Sequence, residues 1–85
     1  MSPKADDFRV ELNRLLSTAG ELGFSAVELS AGTLHRRVGG YPGADHRMPV
    51  CCGAMREAMG PSDTIVTEPK KGAGASLTLR YSLPR

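Results

Sequence analysis

The spacing of the apolar residues changes character near residue 60, and that change constrains the fold more than any other feature. Before it, apolar residues recur at helical steps. Phe8, Leu12, Leu15, Leu16, Ala19 and Leu22 form one stripe of a 3.6-residue period. Met48, Cys52, Met55 and Met59 form another. After it, Leu77, Leu79, Tyr81 and Leu83 alternate with Thr78, Arg80 and Ser82, the period of a half-buried strand. Helices therefore come first and a sheet closes the chain.

Punctuation residues divide the helical part. Ser2-Pro3 is a plausible first start, with a capping hydroxyl and a proline where no N–H is needed. Asp6 and Asp7 suit the positive end of the helix dipole, and Gly20 and Gly23 stop the helix. Phe24 to Leu29 is too short for a helix and reads as a brief strand or extended link. Ser30 then caps a second helix, Ala31 to Val38, which Gly39-Gly40 ends. Tyr41-Pro42-Gly43 makes a turn. A third helix is expected over residues 45–59, with Pro49 in its first turn, because an interior proline would break it. Thr64-Ile65-Val66-Thr67 is β-branched and reads as a strand. Residues 69–76, with Lys70 and Lys71, make a flexible basic loop before the alternating strand.

With 85 residues the chain has room for one domain, 1–85, and one modest core. No Trp and two each of Phe and Tyr leave Leu, Val and Met to do most of the packing. The expected core is Phe8, Leu12, Leu15, Leu16, Leu34, Val38, Met48, Cys52, Met55, Met59, Ile65, Leu77, Leu79 and Tyr81. No run approaches the ~18 apolar residues of a membrane span. Residues 1–7 hold no apolar stretch, so no secretory signal is expected. Two adjacent cysteines cannot staple distant segments. The expected location is the cytoplasm.

The order helix, short strand, helix, turn, helix, strand, basic loop, strand resembles that of winged-helix domains. The fold class expected is α+β: a three-helix bundle with a C-terminal β-hairpin wing. The resemblance implies that helices two and three form a helix-turn-helix and that the hairpin is the wing. A second resemblance lies in a pattern. Leu34-His35-Arg36-Arg37-Val38-Gly39-Gly40-Tyr41-Pro42-Gly43 followed by His46-Arg47-Met48-Pro49-Val50-Cys51-Cys52 is similar to a run in small bacterial proteins of unassigned function. Modules of that kind are associated with HNH-type restriction endonucleases. This implies a DNA-facing accessory module rather than a nuclease, for which the chain is too short.

Charge points the same way. Residues 1–34 carry three basic and five acidic side chains, whereas residues 35–85 carry eight basic and four acidic ones. A split of this sign suits an anionic partner met by the C-terminal part, although a solvated surface would look similar. The third helix is the expected reader, lying in the major groove of duplex DNA. Its outward face carries His46, Val50, Gly53, Ala54 and Glu57, with Arg47 at the edge. Gly53 and Ala54 are poor choices for a solvated helix face, and small side chains let something approach closely. That something is a groove wall, a partner protein, or another helix of the same domain. Loop 69–76 would set Lys70 and Lys71 on the phosphate backbone, with His35, Arg36, Arg37 and Arg80 as further basic contacts. The alternative is a protein–protein interaction module or an accessory domain of a larger nucleic-acid-processing assembly.

Other chemistries fit poorly. Gly72-Ala73-Gly74 is a lone Gly-x-Gly followed by a strand, so it is not a phosphate-cradling nucleotide loop. Cys51, Cys52, His35 and His46 lack zinc-ligand spacing, and adjacent helical residues point about 100° apart. Cys51 near a His is the one arrangement worth naming for nucleophilic catalysis, and no orienting third group is evident. Cys52 is expected in the core, with Cys51 at its edge. His35 is expected to meet solvent, a phosphate or a helix end. No cofactor, metal or catalytic residue is expected.

Overall fold

The computed structural model describes residues 3–39, 41, 47–70 and 72–84. The chain is α+β, with three helices and one three-stranded antiparallel sheet. The elements are α1 (Ala5–Glu21), β1 (Ala26–Ser30), α2 (Ala31–Val38), α3 (Met48–Glu57), β2 (Thr64–Thr67) and β3 (Thr78–Ser82). The sheet order is β1-β3-β2, so the last strand lies in the middle.

α1 buries Phe8, Leu12 and Leu16 at four-residue steps and half-buries Leu15. It starts later than the Ser2-Pro3 signal suggests. Lys4 is the N-cap, and its backbone N–H donates to the Asp7 carboxylate at 2.7 Å. Leu22 leaves the expected stripe and is 71% exposed. The helix has ended by then, and Gly23 turns the chain with φ of 91°, a conformation that favours glycine. Ser30 caps α2 as expected, its Oγ accepting from the Thr33 N–H at 3.2 Å. α3 begins at Met48 instead of near residue 45, with Pro49 in its first turn as expected.

β3 pairs with both neighbours. Leu29 opposes Leu79 and Val27 opposes Tyr81 on one side, and Ile65 opposes Leu79 on the other. The core is Phe8, Leu12, Leu16, Leu29, Ala31, Leu34, Met48, Cys51, Cys52, Ala54, Met55, Leu77, Leu79 and Tyr81. It contains ten of the fourteen expected residues. Leu15, Val38 and Met59 pack against it half-buried. Ile65 is a correction, at 41% exposed, because β2 is an edge strand with all four residues exposed. Two polar contacts lock the sheet to the helices and turns. The Tyr81 hydroxyl donates to the Met55 carbonyl of α3 at 2.8 Å. Asp63 accepts from the backbone N–H groups of Gly60 and Ser82, each at 2.7 Å.

Candidate functional site

α3 holds most of the expected site residues, and its packing sorts them. Met48, Cys51, Cys52, Ala54 and Met55 are buried. Pro49, Val50 and Glu57 are exposed, and Gly53 is half-buried. A Cβ placed on Gly53 would meet nothing within 4 Å. The outward face is therefore Pro49, Val50 and Gly53, with Glu57 at its C-terminal end, 3.8 Å from Arg9 of α1. Ala54 is corrected from surface to core, at 4% exposed. The inward arc of α3 is wider than the methionine stripe implies, because small side chains at 51, 52 and 54 let α1 and α2 come close on both sides. Pro49 joins the face although the sequence reading used it only as a marker of the first turn.

Arg47 is exposed at the N-cap of α3. It has no side-chain cap, and its backbone N–H donates to His35 Nε2 at 2.7 Å. His35 itself is a correction. It is fully buried, its ring edge-on to Phe8 at 4.8 Å and tilted against Tyr41 at 5.5 Å. A phosphate contact is closed to it. Of the expected roles, the helix-end contact is the one it fills: from the second turn of α2 the imidazole accepts from the backbone N–H at the start of α3.

The remaining cations divide by partner. Arg37 donates to Glu11 at 2.9 Å, and Glu11 is shared with Arg14 at 2.6 Å. Arg80 reaches Glu28 across the β1–β3 pair at 3.1 Å. These two expected contacts are committed to carboxylates of their own chain. Arg36 instead lies over the Tyr41 ring at 5.5 Å. Among the described residues, no carboxylate lies within ion-pair distance of Arg36, Arg47 or Lys70. His46 and Lys71 lie outside the described residues.

The loop between β2 and β3 is tied to the body at several points. The Arg56 guanidinium pairs with Glu68 and donates to the Gly72 carbonyl at 2.9 Å. Cys52 Sγ donates to the Gly74 carbonyl at 3.5 Å. The N–H groups of Ala31 and Gly32 donate to the Leu77 and Ala75 carbonyls at 2.8 and 3.0 Å. A Cβ on Gly32 would meet the Ala75 Cβ and carbonyl, each at 3.3 Å, a tight contact that a larger side chain would press apart. Glu68 and Gly72, on either side of Lys70 in the chain, are tied to Arg56 in the last turn of α3. The signal for this fastening, a lone Arg56 at the edge of a helix face, could not have named its partner sixteen residues away.

Cys51 is also corrected, from the core's edge to full burial, with Sγ donating to the Ala31 carbonyl at 3.5 Å. Burial, and then the neighbouring Cys52, push its thiol up to about 12, the opposite of an activated nucleophile. Among the described residues, no group of three His, Cys, Asp or Glu side chains is arranged to hold a metal. A cleft of about 200 Å³ is lined by Gly60, Pro61, Ser62, Asp63, Ser82 and Pro84. Both oxygens of its one acid, Asp63, are engaged by backbone N–H groups. No described helix is long and apolar enough to cross a membrane. No protein-family model, curated protein or solved structure matches the chain.

Proposed function

We propose that this chain is a winged-helix module that binds duplex DNA and performs no chemistry of its own. The element order and the β1-β3-β2 sheet support the fold reading, with α2 and α3 as the helix-turn-helix. The observation that carries the functional reading is the outward side of α3. It presents Val50 and Gly53 beside the first-turn Pro49, and Gly53 is a residue that helix propensity would not select and no packing contact requires. Arg47 is the N-cap at its N-terminal end, and the loop that carries Lys70 is tied through Glu68 and Gly72 to Arg56 in its last turn. The module docks α3 in the major groove, and its cations meet the flanking phosphates.

The test is binding of the purified chain to duplex DNA as salt is varied. Affinity should fall steeply with salt. Replacing Lys70 and Lys71 together with Ala should weaken binding to every sequence and reduce the salt slope by about two. Arg47→Ala should cost about 1–3 kcal/mol. Arg14→Ala is the control, since that guanidinium is held by Glu11 on α1. Absence of binding to any duplex at low salt would overturn the reading and favour a protein partner for the same face.

A further inference from the structure

We propose that α3 reads the C5-methyl group of pyrimidines in the major groove, with Val50 as the specificity-determining side chain. The inference rests on the duplex-DNA reading above and goes beyond it by naming what is recognised. The first two turns of α3 offer the groove almost nothing that makes hydrogen bonds. Past Arg47, the outward residues are Pro49, Val50 and Gly53. Val50 is 36% exposed and Pro49 is exposed beside it, so an apolar spot stands at the part of the helix that enters a groove most deeply. Base edges in the major groove carry hydrogen-bonding atoms and one apolar mark, the C5-methyl of thymine, which 5-methylcytosine also bears. An apolar spot matches that mark and no other.

Two further features make the contact reachable. An α-helix with its side chains is about 10–12 Å across, and the major groove is about 12 Å wide, so the fit is tight. Gly53 lies one turn beyond Val50 with open space where a side chain would stand, which lets this part of the helix sink. The ten residues of α3 span about 15 Å. Arg47 at one end and Lys70, on the loop fastened through Arg56, have no ion-pair partner among the described residues, whereas the acids at the other end, Glu57 and Glu68, pair with Arg9 and Arg56, which leaves net positive charge about the spot. That charge favours nucleic acid over an apolar protein surface as the occupant.

The experiment compares two duplexes of one sequence at constant salt, one with thymine and the other with deoxyuridine throughout. They share charge and hydrogen-bonding atoms and differ in the methyl groups. The parent chain should bind the thymine duplex more tightly, by roughly fourfold for each methyl buried. Val50→Ala, on an exposed helical position that alanine suits, should bring the ratio of the two affinities towards one. A cytosine duplex should gain affinity when its cytosines are 5-methylated, and lose that gain in Val50→Ala. Equal binding of the parent to both duplexes, with a steep salt slope, overturns the methyl reading alone. A thymine preference that survives in Val50→Ala overturns the assignment to this side chain. No binding to either duplex at low salt overturns the underlying DNA reading.

Discussion

α1 and α3 solve the same packing problem and leave different surfaces. Each turns one side to the core: Phe8, Leu12 and Leu16 from α1, and Met48, Cys51, Cys52, Ala54 and Met55 from α3. The outward side of α1 is mostly paired charge, with one exposed apolar side chain, Val10, among it. Arg9 pairs with Asp6, Arg14 with Glu11, and the same Glu11 takes Arg37 from α2. The outward side of α3 shows a proline, a valine and a glycine. Ion pairs account for much of the surface of α1, whereas neither packing nor helix propensity accounts for Gly53 on α3. Residues that break local rules without a packing reason mark the place where a protein does its work.

The comparison can be broken first in the core, where the largest effect is expected. Leu12→Ala should cost about 2–5 kcal/mol, because Leu12 is fully buried between helices that have little other bulk to offer. Leu15→Ala should cost less, since that side chain is only half-buried. Val50→Ala should stay within about 0.5 kcal/mol of the parent. Urea unfolding monitored by circular dichroism measures all three. A Val50→Ala cost close to that of Leu12→Ala would mean that the outer face of α3 is structural, and the contrast between the helices would vanish.

Local patterning made the helices and the central strand readable. The four-residue steps of α1, the Ser30 cap and the alternation through Leu79 and Tyr81 are short-range signals, and each was realised where it was expected. Long-range pairings were not readable. Nothing near His35 in sequence says that its ring will anchor Arg47 twelve residues on. Nothing near Arg56 names Glu68 and Gly72 as its partners. Ala54 looked like a surface residue because its chemistry resembles that of Gly53. Only the positions of α1 and α2 decide that one is core and the other is open. Of the candidate site, Arg47, Val50 and Lys70 therefore keep the exposure that DNA contact needs, Gly53 is half-buried with open space beside it, and His35 and Ala54 are buried.

A smaller effect should separate the helices by pH. Hydrogen bonds from Arg14 and then Arg37 hold the Glu11 carboxyl down at about 2, from an ordinary value of 4.5, against a small opposing effect of desolvation. A carboxyl whose folded value is depressed adds stability that is fully present above its unfolded value. That stability is lost as pH falls from about 4.5 towards 2. Both guanidinium groups are about half exposed, so solvent screening limits the contribution to about 1 kcal/mol or less. Glu11→Gln should lower stability at neutral pH by that amount and flatten the acid limb of the stability curve. A limb unchanged by Glu11→Gln would show that the α1–α2 clamp contributes nothing, and that α1 is no better matched to solvent than α3.

The smallest expected effect has the opposite sign, and it sharpens the comparison most. Gly53 sits inside α3, where glycine costs a helix about 0.5–1 kcal/mol relative to alanine. A Cβ there would touch nothing within 4 Å, so no packing reason offsets that cost. Gly53→Ala should therefore stabilise the chain by about that amount, read as a shift of the urea midpoint with an unchanged slope. On the proposed docking, the same methyl would fill the gap through which α3 approaches the groove, so DNA affinity should fall while stability rises. Changes of opposite sign from one methyl cannot come from damage to the fold. A gain in stability with unchanged binding would mean that the gap is not used, and α3 would approach DNA along another face. A loss of stability would mean that the helix cannot accept alanine at this point, and the case that its outer surface is set by a ligand would fall.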